Sequence, residues 1–385
     1  MLRRIRSGLS RGTVVVIVAT ALIAWSPPAF GETGGAGQGE APKTSQLITL
    51  EEVYNRAQAS SLSMAQARLA VKQAELAYDQ ASRTADAVED KNATTWDLRL
   101  VKYYSPVVAL NAVEQARAGL KNSEKSLYLL VSKSYYDVLK AEGTVAAASA
   151  AVERSQGHLA VARARYDAGT VPRTEVLSAE VALASAKVDL TSARNLRELA
   201  LVTLKQVAGI EDSTAFRVTE EGLSPDGGAV EPLDISKVMD PVLAARPDVR
   251  AARDRLSEAE LRQRLASEFF SPNVWTVRQA ALDVESAGIG LQQAEDAAVL
   301  DVRTSYQALV EAAQRYEMNS KALDQAKENL RLASLRYESG FGTFLEITTA
   351  EALLKGVEAS VIQSRFDLGF AGARFDFITE GGQLK

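Results

Sequence analysis

Cysteine is absent from the 385-residue chain. That excludes disulfides, thiolate metal sites, a cysteine nucleophile and an acylated cysteine anchor. Histidine occurs once, as His158. A histidine-rich metal site is therefore excluded, and a Ser-His-Asp triad has a single candidate base. Aromatic residues make up only 6% of the chain, and alanine is abundant, which suits long helices better than a large β structure. Basic charge is not in excess: 44 Lys and Arg face 49 Asp and Glu, for a net charge of -5. No basic nucleic-acid footprint follows from that balance. There is no phosphate loop and no nucleophile elbow. The carboxylates are spread along the chain beside basic partners, as Glu328 is beside Arg331, which is the pattern of solvated helix flanks. His158 falls between seam positions Ser155 and Leu159 and is expected to be a solvated flank histidine. No enzyme activity, metal or cofactor is expected.

What is present begins with an export signal. Arg3, Arg4, Arg6 and Arg11 precede an apolar run from Val14 to Trp25, and Ala29-Phe30-Gly31 places small residues at both ends of a cleavage triplet. The run is shorter than the roughly 20 residues that a spanning helix needs. Residues 1–31 therefore read as a signal peptide, with an uncleaved anchor as the other reading. Residues 32–47, rich in Gly, Ser, Thr and Pro, read as a flexible leader. The mature chain is expected outside the cytoplasm.

One pattern then appears twice. Residues 135–209 and 306–380 align without a gap: Tyr135 with Tyr306, Leu159 with Leu330, Arg165-Tyr166 with Arg336-Tyr337, Gly169 with Gly340, and Ala179-Glu180 with Ala350-Glu351. Such self-similarity marks an internal duplication. The expected organisation is helical repeat 1 at 48–208, a linker at 209–232, helical repeat 2 at 233–380, and a tail at 381–385. Within each repeat the spacing is heptad. Val145, Ala148, Val152, Ser155, Leu159, Ala162 and Tyr166 keep a strict 3,4 rhythm, and Leu323, Ala326, Leu330, Ala333 and Tyr337 keep it in the second repeat. A seam so spaced stays on one face only if the helices supercoil left-handedly. Arg197 interrupts the series. Either its stem lies along the seam with the charge at the edge, or Leu196 takes over the contact. Each arm of about 60 residues is roughly 90 to 100 Å long, so an elongated all-α hairpin protein is expected.

The arms reverse at Gly169 and Gly340. Gly169-Thr170-Val171-Pro172 ends one helix and starts the next, and Thr343 with Glu346 has capping-box spacing after Gly340-Phe341-Gly342. Val171 and Phe341 are apolar residues at hairpin tips, where a docking surface and a plain helix reversal are both open readings. Two thin hairpins bury too little surface to be comfortable alone. Association into a closed ring with a polar interior solves that problem, and a solid bundle is the competing solution.

These stretches, in this order and twice, resemble the TolC-like outer-membrane efflux channel family. The residues that carry the resemblance are Ser134-Tyr135-Tyr136-Asp137-Val138-Leu139, Ala164-Arg165-Tyr166-Asp167-Ala168-Gly169-Thr170, Glu175 to Glu180 and its partner Glu346 to Glu351. The resemblance implies a homotrimer whose helices enclose a periplasmic tunnel, with short strands forming a shared outer-membrane β-barrel. It implies a passive exit conduit for a tripartite efflux or type I secretion system. Its partners are a periplasmic adaptor, or membrane fusion protein, and an inner-membrane pump. Gly169, Thr170, Val171, Gly340, Phe341 and Gly342 are then the adaptor-docking tips, and Tyr337 and Glu346 belong to the entrance constriction. The place of action is the outer membrane or the periplasm-facing envelope. The alternative function is a non-channel envelope coiled-coil scaffold or adaptor-like protein.

Two features depart from the family pattern. The Arg of well-known members two residues after the second tip glycine is Gly342 here, and the second acidic position is Thr349, so the closing network is partial. The barrel strands are also missing from the sequence. Trp96-Asp97-Leu98-Arg99-Leu100 offers one short strand, and only a few residues including Pro272 lie between Glu268 and Trp275. The barrel is therefore expected to be vestigial or absent. Phe269 and Phe270, with Tyr103 and Tyr104, are expected to form an apolar end.

Overall fold

In the computed structural model, residues 46–211, 216–220 and 235–382 are described. The signal peptide and nearly all of the leader lie outside them, as does much of the linker. Two capping arrangements open the first repeat. The Thr49 N–H donates to Glu52 Oε2 at 3.2 Å while the Glu52 N–H donates to Thr49 Oγ1 at 3.3 Å, a closed capping box. Helix α1 then runs Leu50–Ser60. Ser61 accepts from the Met64 N–H at 3.4 Å and starts α2, Leu62–Asp86.

At the far end of α2 the chain makes a 3₁₀ turn at Asp90–Asn92, a short helix α3 at Trp96–Arg99 and a π-helical turn at Leu100–Tyr104. It returns as α4, Ser105–Asp167, and after a tight turn as α5, Arg173–Ala208. The second repeat follows with α6 at Ile235–Ala245, α7 at Pro247–Phe269, α8 at Trp275–Glu338 and α9 at Phe344–Thr379. The helices α1, α2, α4 and α5 have 11, 25, 63 and 36 residues; α6, α7, α8 and α9 have 11, 23, 64 and 36. The duplication read from the sequence is thus a duplication of helix lengths. At 1.5 Å per residue, α4 and α8 are each about 95 Å long.

Each long helix packs on its hairpin mate along the heptad seam: α4 on α5, α8 on α9, with α4 also on α9 between the repeats. Ala162, Ala179, Ala326, Leu330 and Ile347 meet in one buried cluster. Alternating a large residue with Ala lets the axes approach closely while Leu and Ile fill the holes. At Arg197 the first of the two sequence readings holds. Its Nε donates to Glu142 Oε1 at 3.3 Å with the stem half-buried, while Leu196 remains exposed.

A second cluster sits near the middle of the body, where β1 (Gln46–Ile48) pairs in parallel with β2 (Phe216–Val218). Ile48, Val53, Val131, Leu204, Phe216 and Phe366 pack there around Tyr135. The Tyr135 hydroxyl accepts from the Thr219 N–H at 3.0 Å. It also lies 2.9 Å from the Ile48 carbonyl and 2.7 Å from the Thr219 carbonyl, one of which takes its proton. This tyrosine fastens the small sheet to α4. Tyr135→Phe leaves those buried backbone groups short of a partner, and is expected to cost about 1–3 kcal/mol in urea denaturation followed by helical circular dichroism.

The segment Trp96–Leu100 is not the strand expected from the sequence. Thr95 accepts from the Leu98 N–H at 3.3 Å and the segment turns helical. A strand there would have no neighbour, because the corresponding connection in repeat two is a brief turn around Ser271 and Pro272. The aromatic end forms on Phe269 and Phe270 as expected, with Trp96 beside them in place of the tyrosines. Trp96 packs against Phe270 and Phe269 at centroid distances of 5.4 and 6.1 Å, and the Arg99 guanidinium lies 5.3 Å over the Phe269 ring. Tyr103 turns away and donates to Asp90 Oδ1 at 2.8 Å. Among the described residues the only sheet is β1–β2, and no helix is long and apolar enough to cross a membrane.

Candidate functional site

The two long hairpins reverse through turns of the same backbone design. At the first, Gly169 adopts φ 73°, its N–H donates to the Tyr166 carbonyl at 2.8 Å, and the Thr170 N–H donates to the Arg165 carbonyl at 2.9 Å. At the second, Gly340 adopts φ 81°, with matching bonds from Gly340 to Tyr337 at 3.0 Å and from Phe341 to Arg336 at 2.8 Å. Both glycines hold the left-handed position that a side chain resists. Gly342 is required for a different reason. A Cβ there would lie 2.9 Å from the Tyr337 nitrogen and 3.0 Å from Arg336 Cβ, so the chain passes too close to α8 for any side chain.

What the tips present is unequal. Phe341 is 89% exposed, with Leu345 exposed beside it, whereas Val171 is half-buried. Glu346 is exposed and serves its own helix. Its N–H donates to Thr343 Oγ1 at 3.3 Å, and the Thr343 hydroxyl donates to Glu346 Oε1 at 3.4 Å. Thr349 donates to the Leu345 carbonyl at 2.8 Å and adds no charge.

Tyr337 ties the tips to each other. It is buried, with its ring edge-on to Phe344 at 6.0 Å. Its hydroxyl donates to Glu175 Oε1 at 2.5 Å. Arg165 lies 4.5 Å over the ring and donates from Nη1 to the Tyr337 carbonyl at 2.9 Å. Burial first, and then the bond to the Glu175 carboxylate, push the Tyr337 hydroxyl up to about 12, against the opposing pull of Arg165. The raised value means that this bond contributes fully below the ordinary tyrosine range near 10 and is lost only as pH rises through about 12. Glu175 and Arg165 were part of the repeated motif but carried no role in the sequence. The signal that could have found Arg165 is the Arg-Tyr pair that recurs before each tip glycine, and for Glu175 it is the alignment with Glu346.

His158 is not solvated, contrary to the sequence expectation. Its Nε2 lies 3.3 Å from Glu351 Oε1, with side-chain exposures of only 16% and 18%. The flank position points toward α9 of the other repeat, so the neighbour that shields it is distant in sequence.

Apolar residues remain uncovered on the outside of the body, and they too are seven residues apart. Leu62, Leu69 and Leu76 line α2; Trp275, Leu282 and Ile289 line α8; Val181 and Val188 line α5, joined further along by Val202. All of them are exposed.

Residues 107–210, most of α4 and all of α5, match the outer membrane efflux protein family. No curated protein is significantly similar in sequence. Among solved structures, a membrane protein from Pseudomonas aeruginosa is similar with TM-score 0.69 at 16% identity, over 86% of this chain and 93% of that one. The outer membrane protein VceC of Vibrio cholerae is similar with TM-score 0.64 at 16% identity, over 86% of this chain and 96% of that one. The MtrE outer membrane channel of Neisseria gonorrhoeae, in its open state, gives TM-score 0.63 at 19% identity, over 86% and 89%. The chain therefore has the fold of the helical body of TolC-like outer membrane efflux channels, and its first long hairpin carries the family's sequence pattern.

Proposed function

We propose that the protein is the outer, passive component of a tripartite export assembly. Three copies join side by side into a ring of helices around a tunnel, and the tips receive a periplasmic adaptor that brings an inner-membrane pump. Residues 1–31 direct export and are removed, residues 32–47 are a leader, and the mature chain acts at the outer membrane or on the periplasmic side of the envelope. The helical repeats at 48–208 and 233–380, joined by the linker at 209–232, are the two halves of one wall segment, and 381–385 is a tail. No cofactor is needed, because the pump supplies the energy.

The observation that carries this reading is the set of apolar stripes on α2, α8 and α5. A heptad stripe left open on a long helix is a seam awaiting another helix. Within the single chain nothing among the described residues covers it. A neighbouring copy covers it, and repetition of one heterologous contact closes a ring. The membrane end differs from a barrel-bearing channel in ending on helical turns and the Trp96, Phe269 and Phe270 cluster.

Adaptor docking is supported by the geometry of the tips. Gly169, Thr170 and Val171 lie on one turn and Gly340, Phe341 and Gly342 on the other, with Tyr337 between them as the entrance latch and Glu346 beside it. Phe341→Asp places a charge on the exposed apolar tip while removing no contact within the chain. It is expected to abolish export at unchanged abundance and helix content, measured as drug tolerance or cargo secretion in a strain lacking the native gene. Full export by well-expressed Phe341→Asp overturns the docking assignment.

A further inference from the structure

Besides the bonds from Arg165 to the Tyr337 carbonyl and from Lys355 to Asp189, three rungs join the two hairpins on the tip side of the body. Tyr337 donates to Glu175 as described. Arg154 Nη2 donates to Glu358 Oε2 at 3.5 Å, linking α4 to α9. Between them, His158 of α4 meets Glu351 of α9 at 3.3 Å. The first rung keeps its proton up to about pH 12. The second joins a guanidinium, which is always charged, to a carboxylate. Only the third contains a side chain of the type that ordinarily changes charge between about pH 5 and 8, and it is the one histidine of the chain.

The surroundings make that rung depend on its proton. Glu351 Oε1 is fully buried and accepts no hydrogen bond; His158 Nε2, 3.3 Å away, is the group placed to supply one. It therefore relies on the imidazole edge that faces it. A protonated imidazole donates from both nitrogens, whereas a neutral one must choose, and with its proton on Nδ1 it turns a lone pair toward the carboxylate. His158 lines a groove of about 460 Å³ whose apolar members are Leu330, Leu335 and Leu354. The charged groups around His158 are Arg154 from α4, Lys327, Arg331 and Glu338 from α8, and Glu351 and Glu358 from α9. Arg331 is held by Glu328 through two bonds of 2.7 Å, and Arg154 by Glu358. On α5, which packs along α4, Glu180 is taken by Arg163 at 2.7 Å. Lys355 of α9 is taken by Asp189 at 2.6 Å. Apart from Lys327, the basic side chains around the pair are thus taken, and His158 is the one that lies 3.3 Å from the Glu351 carboxylate.

We propose that His158 and Glu351 form a proton-operated joint between the hairpins. With His158 protonated, α4 is locked to α9. With His158 neutral, the joint loosens and the α8–α9 hairpin moves more readily relative to α4–α5. The joint stands on the geometry of a single chain. Its consequence, an entrance that closes more firmly in acid, rests on the conduit reading.

The absence of cysteine makes the test clean. Spin labels at introduced cysteines, Arg173→Cys on the first hairpin and Ser339→Cys on the second, both exposed positions, report the distance between the tips in the full mature chain. The expected result is a narrow distance distribution at about pH 5.5 that broadens toward longer distances at about pH 8. His158→Gln and Glu351→Gln, in the labelled background, are each expected to remove that pH response while leaving helix content unchanged. A wild-type distribution that is the same at both values overturns the joint. So does a pH response that survives in both variants. Because the readout is a distance and not export, a failed joint is distinguishable from a failed conduit reading.

Discussion

Replacing Arg246 with Ala is expected to lower the stability of the protein by about 3–5 kcal/mol, a larger loss than Tyr135→Phe brings. Arg246 is 2% exposed at the junction between α6 and α7. Its Nε and Nη2 donate to the two oxygens of Asp248 at 3.0 and 2.6 Å, and its Nη1 donates to Asp301 Oδ2 of α8 at 2.9 Å. A fork of this kind satisfies two carboxylates at once and fixes the angle at which α7 leaves α6. Alanine removes the charge, leaves Asp248 with only its bond from the Val249 N–H, and opens a cavity. Lysine keeps the charge but not the fork, and is expected to recover only part of the loss. The midpoint in urea, followed by circular dichroism, checks both. A midpoint unchanged by Arg246→Ala contradicts the assignment.

Changing Leu69 and Leu282 together to Glu is expected to break the proposed assembly into single chains with no loss of helix. Both side chains are the middle members of their stripes, on α2 and α8, and both are exposed in the isolated chain. A charge at either position therefore costs the chain little by itself. In an assembly it would be buried in a helix seam without a partner, where the penalty is several kcal/mol per ion. Sedimentation velocity distinguishes the outcomes. An assembled double variant would mean that copies meet through some other face.

Much of the molecule was legible because its stabilising pattern is periodic. The seams through Leu159 and Ala162, and through Leu330 and Ala333, are local repetitions that any helix of this length must bury. The turns were legible for a related reason, since Gly169 and Gly340 sit where two such seams break. The partners across repeats were not legible. The neighbour of His158 is Glu351, and that of Tyr337 is Glu175; nothing in a helix period says which of two similar hairpins lies against which. Arg246 stayed hidden because Arg-Pro-Asp reads equally well as an exposed helix start. Trp96 to Leu100 has strand-like composition, but strand formation is a property of a pair, and no partner strand exists for it among the described residues. Gly342 looked like a lost arginine; the contacts around it leave no room for one.

Comparison of the light-scattering mass of the purified mature protein in detergent with its mass without detergent tests the central claim most directly. A ring built on the open heptad stripes of α2, α8 and α5 gives three copies per particle in detergent and the same three without it, because the seams are helix on helix and need no lipid. A particle of one copy under both conditions contradicts the conduit.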